Sequence, residues 1–235
     1  MSFDLSVITY GLPIFGEGLV NTVLFCAVAI AGGLPLATAL ALARLSRRRN
    51  LRVPATSFVE ILRNTPFLVQ VFLLYFALPA LGMRLGATTA GLVALTAYAG
   101  AYFAEAIRGA ILSVPRGQLE SARALGMPYL RAIRRIVAPQ MMGYLLPALT
   151  NQMIGVIKDS AVLSVITVPD MAMAAQQVLG ETFAPVESYV MVAVLYWVLT
   201  ASVAAGMMQL ERRFAAPAMG PHRLLDAAPA LALER

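Results

Sequence analysis

Five stretches of the chain carry no charged side chain over a length sufficient to cross a bilayer: Gly18 to Ala43, Asn64 to Met83, Leu85 to Ala104, Ile136 to Ile157 and Ser188 to Leu210. In hydrocarbon each backbone N–H and C=O has to be paired within its own segment, so apolar runs of about 20 residues read as helices. The pattern predicts an all-α polytopic membrane protein with five transmembrane helices. The second is expected to begin nearer Val53, because Pro54 suits a first helical turn and mostly apolar residues follow it. Gly32, Gly33 and Pro35 would allow close helix approach and a kink in the first.

Two connections are more than loops. Arg108 to Arg135 is long for a hairpin, basic and helical in pattern. Lys158 to Glu187 contains the apolar stretch SAVLSVITV, too short to span and ended by Pro169, which reads as a re-entrant or interfacial piece. Residues 214–235, rich in Ala and Pro, are expected to form a poorly ordered tail. Residues 1–17 lack a basic region and carry Asp4 and Glu17, so they read as a retained segment outside the membrane rather than a cleaved signal.

The basic residues add orientation. All of them except Arg63, Arg84 and Lys158 follow the first, third or fifth run, on one side of a five-span chain. Basic loops mark the cytoplasmic face, which places the N-terminus outside and the C-terminus inside. The Arg44 to Arg52 cluster can be read as an anionic-lipid or nucleic-acid patch, but a topology-setting loop explains it more simply. Composition agrees: only 13% of residues are charged, against about 25% in soluble domains.

Other chemistry is missing. One cysteine, Cys26, and one histidine, His222, cannot build a disulfide or a structural zinc site. The single lysine, Lys158, sits between Ile157 and Asp159, so there is no GK[ST] phosphate loop and no ATPase within this chain. His222 lies in the Ala/Pro tail, a poor place for a general base. An enzyme is not expected, nor a metal or cofactor.

The segment ESARALGMPYLRAIRRIVAP, Glu120 to Pro139, carries the most specific spacing. Residues 121–125 suit a short helix, Glu120 near its start suits the helix dipole, and Gly126 with Pro128 is a stop signal. On these residues alone a solvated connecting helix and a plug for another protein's cleft remain equally open. The segment resembles the EAA loop of ATP-binding cassette importer permeases, EAAxxxGx(9)IxLP, through Glu120, Ala122, Gly126, Ile136 and Pro139. Ser121 and Ala138 depart from the pattern. FVEILRNTPFLVQVFLLYFALP (58–79), AYFAEAIRGAILSVPRGQLESARALGM (101–127) and IGVIKDSAVLSVITVPDM (154–171) are similar to the polar amino acid uptake branch of that family.

The resemblance covers roughly Gly18 to Leu210 and implies the rest of a machine. It implies a permease domain over 18–213 in a bacterial inner membrane and a second permease chain, identical or related. It also implies a dimeric ATPase that carries ATP and magnesium, a soluble substrate-binding protein and a polar amino acid as cargo. Glu120, Ser121, Ala122, Leu125 and Gly126 would form the coupling helix seated in the ATPase. An opine or another small zwitterion is an alternative cargo, and a channel or scaffold without an ATPase is a reading from another class.

Polar residues near the spans are candidates for the path. Glu60 with Arg63, and Glu105 with Arg108, are three apart and could neutralise each other on one helix face, as interfacial pairs or as part of the inner path. Thr65 and Gln70 flank Pro66, which would bend or start a helix; a Gln there more often bonds between helices than touches cargo. Lys158, Asp159 and Ser160 follow the fourth run, where a helix break could face a zwitterion or simply form a turn. Asn151 belongs to the same class.

Overall fold

A computed structural model describes residues 3–215, and among these every regular element is helical. The first helix, α1, covers Leu5–Leu45 and so begins well before Gly18. Asp4 caps it by accepting the Ser6 amide at 2.8 Å, and hydrogen bonds from the Ser6 hydroxyl and amide hold the Asp4 carboxyl below the ordinary carboxylate range. Glu17 stays exposed on the helix surface. The charge that ends the uncharged run therefore does not end the helix.

α1 buries a stripe of mostly small residues, including Gly18, Thr22, Cys26, Ala29, Gly33 and Ala37. Small side chains let helix backbones approach where lipid offers no hydrophobic drive for association. The stripe packs on α2 (Arg49–Asn64) and α8 (Met171–Thr182), and at Gly33 against Ala99 and Gly100. At Gly18 an added Cβ would stand 3.0 Å from both the Asp170 carbonyl oxygen and the Ala174 Cβ. One turn on, Thr22 accepts the Met171 amide at 3.0 Å, while Asp170 caps α8 through the Met173 amide at 2.8 Å. These bonds satisfy donors that the start of α8 would otherwise leave unpaired.

The expected second span, Asn64 to Met83 with its start near Val53, is not one helix. α2 stops at Asn64, and α3 (Phe67–Phe72) continues as a π turn (Leu73–Ala77) and a 3-10 turn (Leu78–Leu81), with a bend of 111° between the two parts. The cause is Pro66, which pushes the residue before it out of the helical region. Thr65 adopts φ −114° and ψ 142°, extended backbone.

The third run extends beyond Ala104, as α4 (Ala87–Ser113). α5 (Arg116–Ala124) and α6 (Tyr129–Ala132) follow; a π turn (Ile133–Val137) leads into α7 (Ala138–Asp159), and a 3-10 segment (Ser160–Ile166) precedes α8. α9 (Pro185–Ala215) extends the fifth run at both ends. By length and composition α1, α4 and α9 can each cross a membrane, and five crossings result if each of the two bent helix pairs is one span. The apolar stretch after Asp159 is helical but of the tighter 3-10 type, and the pair it belongs to bends by 48°.

Residues 3–108 with 148–205 form one compact unit, and 109–147 with 206–215 form another. In the first, Phe15, Ala174, Ala175 and Val178 make a core that Met191, Val192 and Leu195 of α9 cover. Apart from Phe214 and Ala215, which end α9, the expected tail and His222 lie outside the described residues.

Because the α1–α8 crossing has no room for a side chain at residue 18, Gly18→Val is expected to destabilise the purified protein by about 1–3 kcal/mol. A fall in the thermal unfolding midpoint in detergent measures it, and Gly16→Val, where a Cβ meets nothing within 4 Å, is the matched control with little change.

Candidate functional site

The segment from Pro115 to Pro128 is built by helix-end chemistry. α5 starts at Arg116 behind Pro115, so Glu120 lies in the middle of the helix and not near its start as the sequence reading has it. Proline at the cap, with φ −59°, fixes the entry one turn earlier than the dipole argument places it. The end is a Schellman motif: Gly126 takes φ +79°, its amide bonds the Arg123 carbonyl at 3.0 Å, and the Met127 amide bonds the Ala122 carbonyl at 3.1 Å. Pro128 then caps α6.

α5 packs on α6 and the π turn after it. Ala122 is the residue it buries, so the small residues do not all face outward; Glu120, Ser121, Leu125 and Gly126 do. Leu125 is 87% exposed, and a Cβ at Gly126 would meet nothing within 4 Å. An apolar side chain this open, on a rigidly capped turn, is a knob without a hole among the described residues.

In the larger unit, charges gather around Glu105 of α4. Arg44, at the end of α1, reaches Glu105 at 2.6 Å and Glu60 of α2 at 3.0 Å. Arg108 embraces the Glu105 carboxylate with both Nη2 and Nε, the latter at 3.0 Å. Arg63 approaches it at 3.8 Å and lies over the Tyr102 ring, 5.6 Å from its centre. The expected Glu105–Arg108 pair is present. The expected Glu60–Arg63 pair is not: Glu60 turns to Arg44 and to the Asn64 amide at 3.2 Å. Sequence spacing sees only neighbours on one helix, whereas packing of α2 on α1 brings Arg44, read as a topology marker, to 9% side-chain exposure between two carboxylates.

Thr65 and Gln70 hold the bend. In an unbroken helix the Leu62 carbonyl would accept the amide of residue 66, and Pro66 has none. Gln70 supplies the donor: its Nε2 bonds the Leu62 carbonyl at 2.7 Å and the Thr65 carbonyl and hydroxyl at 3.0 Å each. The Thr65 hydroxyl donates to the Ile61 carbonyl at 2.8 Å. Gln70 is buried, and so serves the fold of this break.

At the other break, Tyr98 of α4 donates its hydroxyl to Asp159 at 2.7 Å. Tyr98 lies between Phe67 at 4.7 Å and Tyr102 at 4.6 Å, in tilted ring contacts, so one aromatic column runs from the Pro66 bend to the charge cluster. Ser160 turns inward, buried, and donates to the Ile157 carbonyl at 2.7 Å. Lys158 and Asn151 face out of the chain on one helical face, two turns apart with Gly155 between them, and Asp159 is half-buried. Sequence reasoning missed Arg44, Tyr98 and Tyr102. A usable signal exists for the tyrosines, since Tyr98, Tyr102 and Glu105 recur at helical spacing in a run otherwise small and apolar.

Residues 33–216 match the family described as "Binding-protein-dependent transport system inner membrane component". The chain belongs to this family. It is 37% identical over 89% of its length, and 97% of the relative's, to the probable glutamine ABC transporter permease protein GlnM of Bacillus subtilis. Identity is 35% to the glutamine transport system permease protein GlnP of Escherichia coli, over 91% of this chain and 98% of that one. A chain from the crystal structure of an amino acid ABC transporter with histidines superposes with TM-score 0.84 and 36% identity, covering 91% of this chain and all of that one. Membership in a family of inner-membrane transport components accords with the absence of any phosphate loop in the sequence.

Removing one side of the cluster leaves guanidinium groups uncompensated, so Glu105→Gln is expected to destabilise this permease by on the order of 2 kcal/mol, and Glu60→Gln, whose own carboxylate is about half exposed, by well under half of that. Thermal unfolding midpoints of the two variants in the same detergent give the comparison.

Proposed function

We propose that this chain is the permease subunit of an ATP-driven, binding-protein-dependent importer of polar amino acids in a bacterial inner membrane, with its N-terminus outside and its C-terminus in the cytoplasm. It pairs with a second permease chain, identical or related, and receives substrate from a soluble binding protein. ATP and magnesium act on a partner ATPase. The observation that carries the reading is the outward Leu125 on the Gly126-capped turn of α5, in a chain that has no nucleotide loop of its own. The glutamine and amino-acid transport named for the relatives supports the cargo class.

Within the path, the placement of the side chains divides the candidates. Glu60, Arg63 and Glu105 are committed to one another's surroundings and to Arg44, Thr65 and Gln70 to the Pro66 bend, and Ser160 to the turn after α7. Asn151, Lys158 and Asp159 remain as groups able to meet cargo. An ammonium and a carboxylate on consecutive residues are the groups that complement the two ends of a zwitterion, and the Tyr98 hydroxyl orients the carboxylate.

Two substitutions test these roles in proteoliposomes containing the ATPase, the partner permease and the binding protein. Leu125→Asp is expected to cut ATP-driven uptake and ATPase co-purification at least tenfold while the permease stays folded, since a charge at an apolar seat is costly; normal uptake would refute the docking role. Asp159→Asn is expected to lower uptake on the order of tenfold or more with the ATPase still bound, from loss of a charge-assisted contact. Unchanged uptake across a substrate titration would remove Asp159 from the path.

A further inference from the structure

The basic link after α1 and the helix that follows it have no assigned partner. Arg47, Arg48, Arg49 and Arg52 are exposed and make no ion pair among the described residues. Four guanidiniums so close together, without a carboxylate, call for an anionic partner from outside the chain.

The placement of α2 indicates what that partner is. Arg49 follows the end of α1 after only Ser46 to Arg48, and Glu60, in the last part of α2, returns to Arg44 at that same end of α1. A helix folded straight back along α1 would carry Glu60 roughly 16 Å up it, out of reach of a 3.0 Å ion pair. With the 111° bend after Asn64, α2 and α3 cannot both follow the membrane normal. α2, which holds the charges, is the one that lies across it.

Its faces fit that position. Ala55 and Val59 bury toward the protein, and Arg49, Arg52, Glu60 and Arg63 share one flank. On the other flank Leu51, Pro54, Phe58 and Ile61, spaced at helical intervals, form an exposed apolar lane that begins at the arginines. The lane ends in a cleft of about 400 Å³ lined by Phe58, Ile61, Leu62, Val69, Leu73 and Val93. An amphipathic helix with arginines on one flank and large apolar residues on the other lies in the bilayer interface.

We propose that α2 is an interfacial helix that binds an anionic phospholipid, with the headgroup on Arg48, Arg49 and Arg52 and an acyl chain along Leu51, Pro54, Phe58 and Ile61 into the cleft. The occupant is charge-matched at one end and apolar at the other, as the surface is. The inference rests on the permease reading only in assigning this lipid to the cytoplasmic leaflet; lipid retention is measured without transport and stands or falls apart from it.

The complex purified in mild detergent is mixed with equal amounts of phosphatidylglycerol and phosphatidylcholine, and bound lipid is read by native mass spectrometry. Retention of phosphatidylglycerol is expected to exceed that of phosphatidylcholine by at least about tenfold, and the preference is expected to vanish in Arg48→Gln/Arg49→Gln/Arg52→Gln. The same charge removed at Arg84, Arg212 and Arg213 leaves it in place. Leu73→Trp, which fills the cleft and spares the arginines, lowers retention of both lipids and does not depend on the triple variant folding. Equal retention of the two lipids, or equal loss in the control triple, overturns the proposal. So does a disulfide between two copies carrying Ile61→Cys, which would put a second permease chain in the cleft.

Discussion

A carbonyl in an apolar setting has to find a donor, and this chain breaks its helices repeatedly where water cannot serve as one. Each break is therefore built from specific polar side chains. Gln70 stands in for the amide that Pro66 lacks, and Thr65 ties back the carbonyl one turn earlier. Thr22 and Asp170 satisfy the start of α8, and Ser160 closes the end of α7. Among the polar residues that look like cargo contacts in the sequence, Thr65, Gln70 and Ser160 are consumed by this task.

The same constraint shapes the electrostatics. Arg44, Glu60, Arg63, Glu105 and Arg108 form one ion-pair network, three guanidiniums on two carboxylates, at the junction of α1, α2 and α4, with the Tyr98–Tyr102 column running from them toward Asp159. A cluster of this kind is a weak source of net stability but costly to unbalance. It fixes how three helices meet near the segment where Lys158 and Asp159 stand.

Much of this was legible beforehand. Charge-free runs located α1, α4, α7 and α9, because a helix buried in lipid must be apolar along its length; their ends were not legible, because Glu17, Glu105 and Arg108 are exposed or paired and do not stop a helix. Gly126 and Pro128 marked the end of α5 correctly, since a positive φ and a missing amide are properties of single residues. The start of α5 and the partner of Glu60 depart from the sequence expectation, the first because Pro115 sets the helix entry a turn ahead of Glu120 and the second because Arg44 is distant in sequence. Asp159 was singled out for its neighbours in the chain, but the Tyr98 bond that orients it exists only in the folded protein.

Family membership and the exposed Leu125 on the capped turn of α5 support one central claim, that this chain conducts solute while another protein spends the ATP. Uptake of radiolabelled glutamine and other polar amino acids into proteoliposomes, with the ATPase and the binding protein each omitted in turn, tests it most directly. The account predicts accumulation against a gradient only when both are present with ATP. Solute flux through the permease alone, equilibrating down its gradient without either partner, would contradict it.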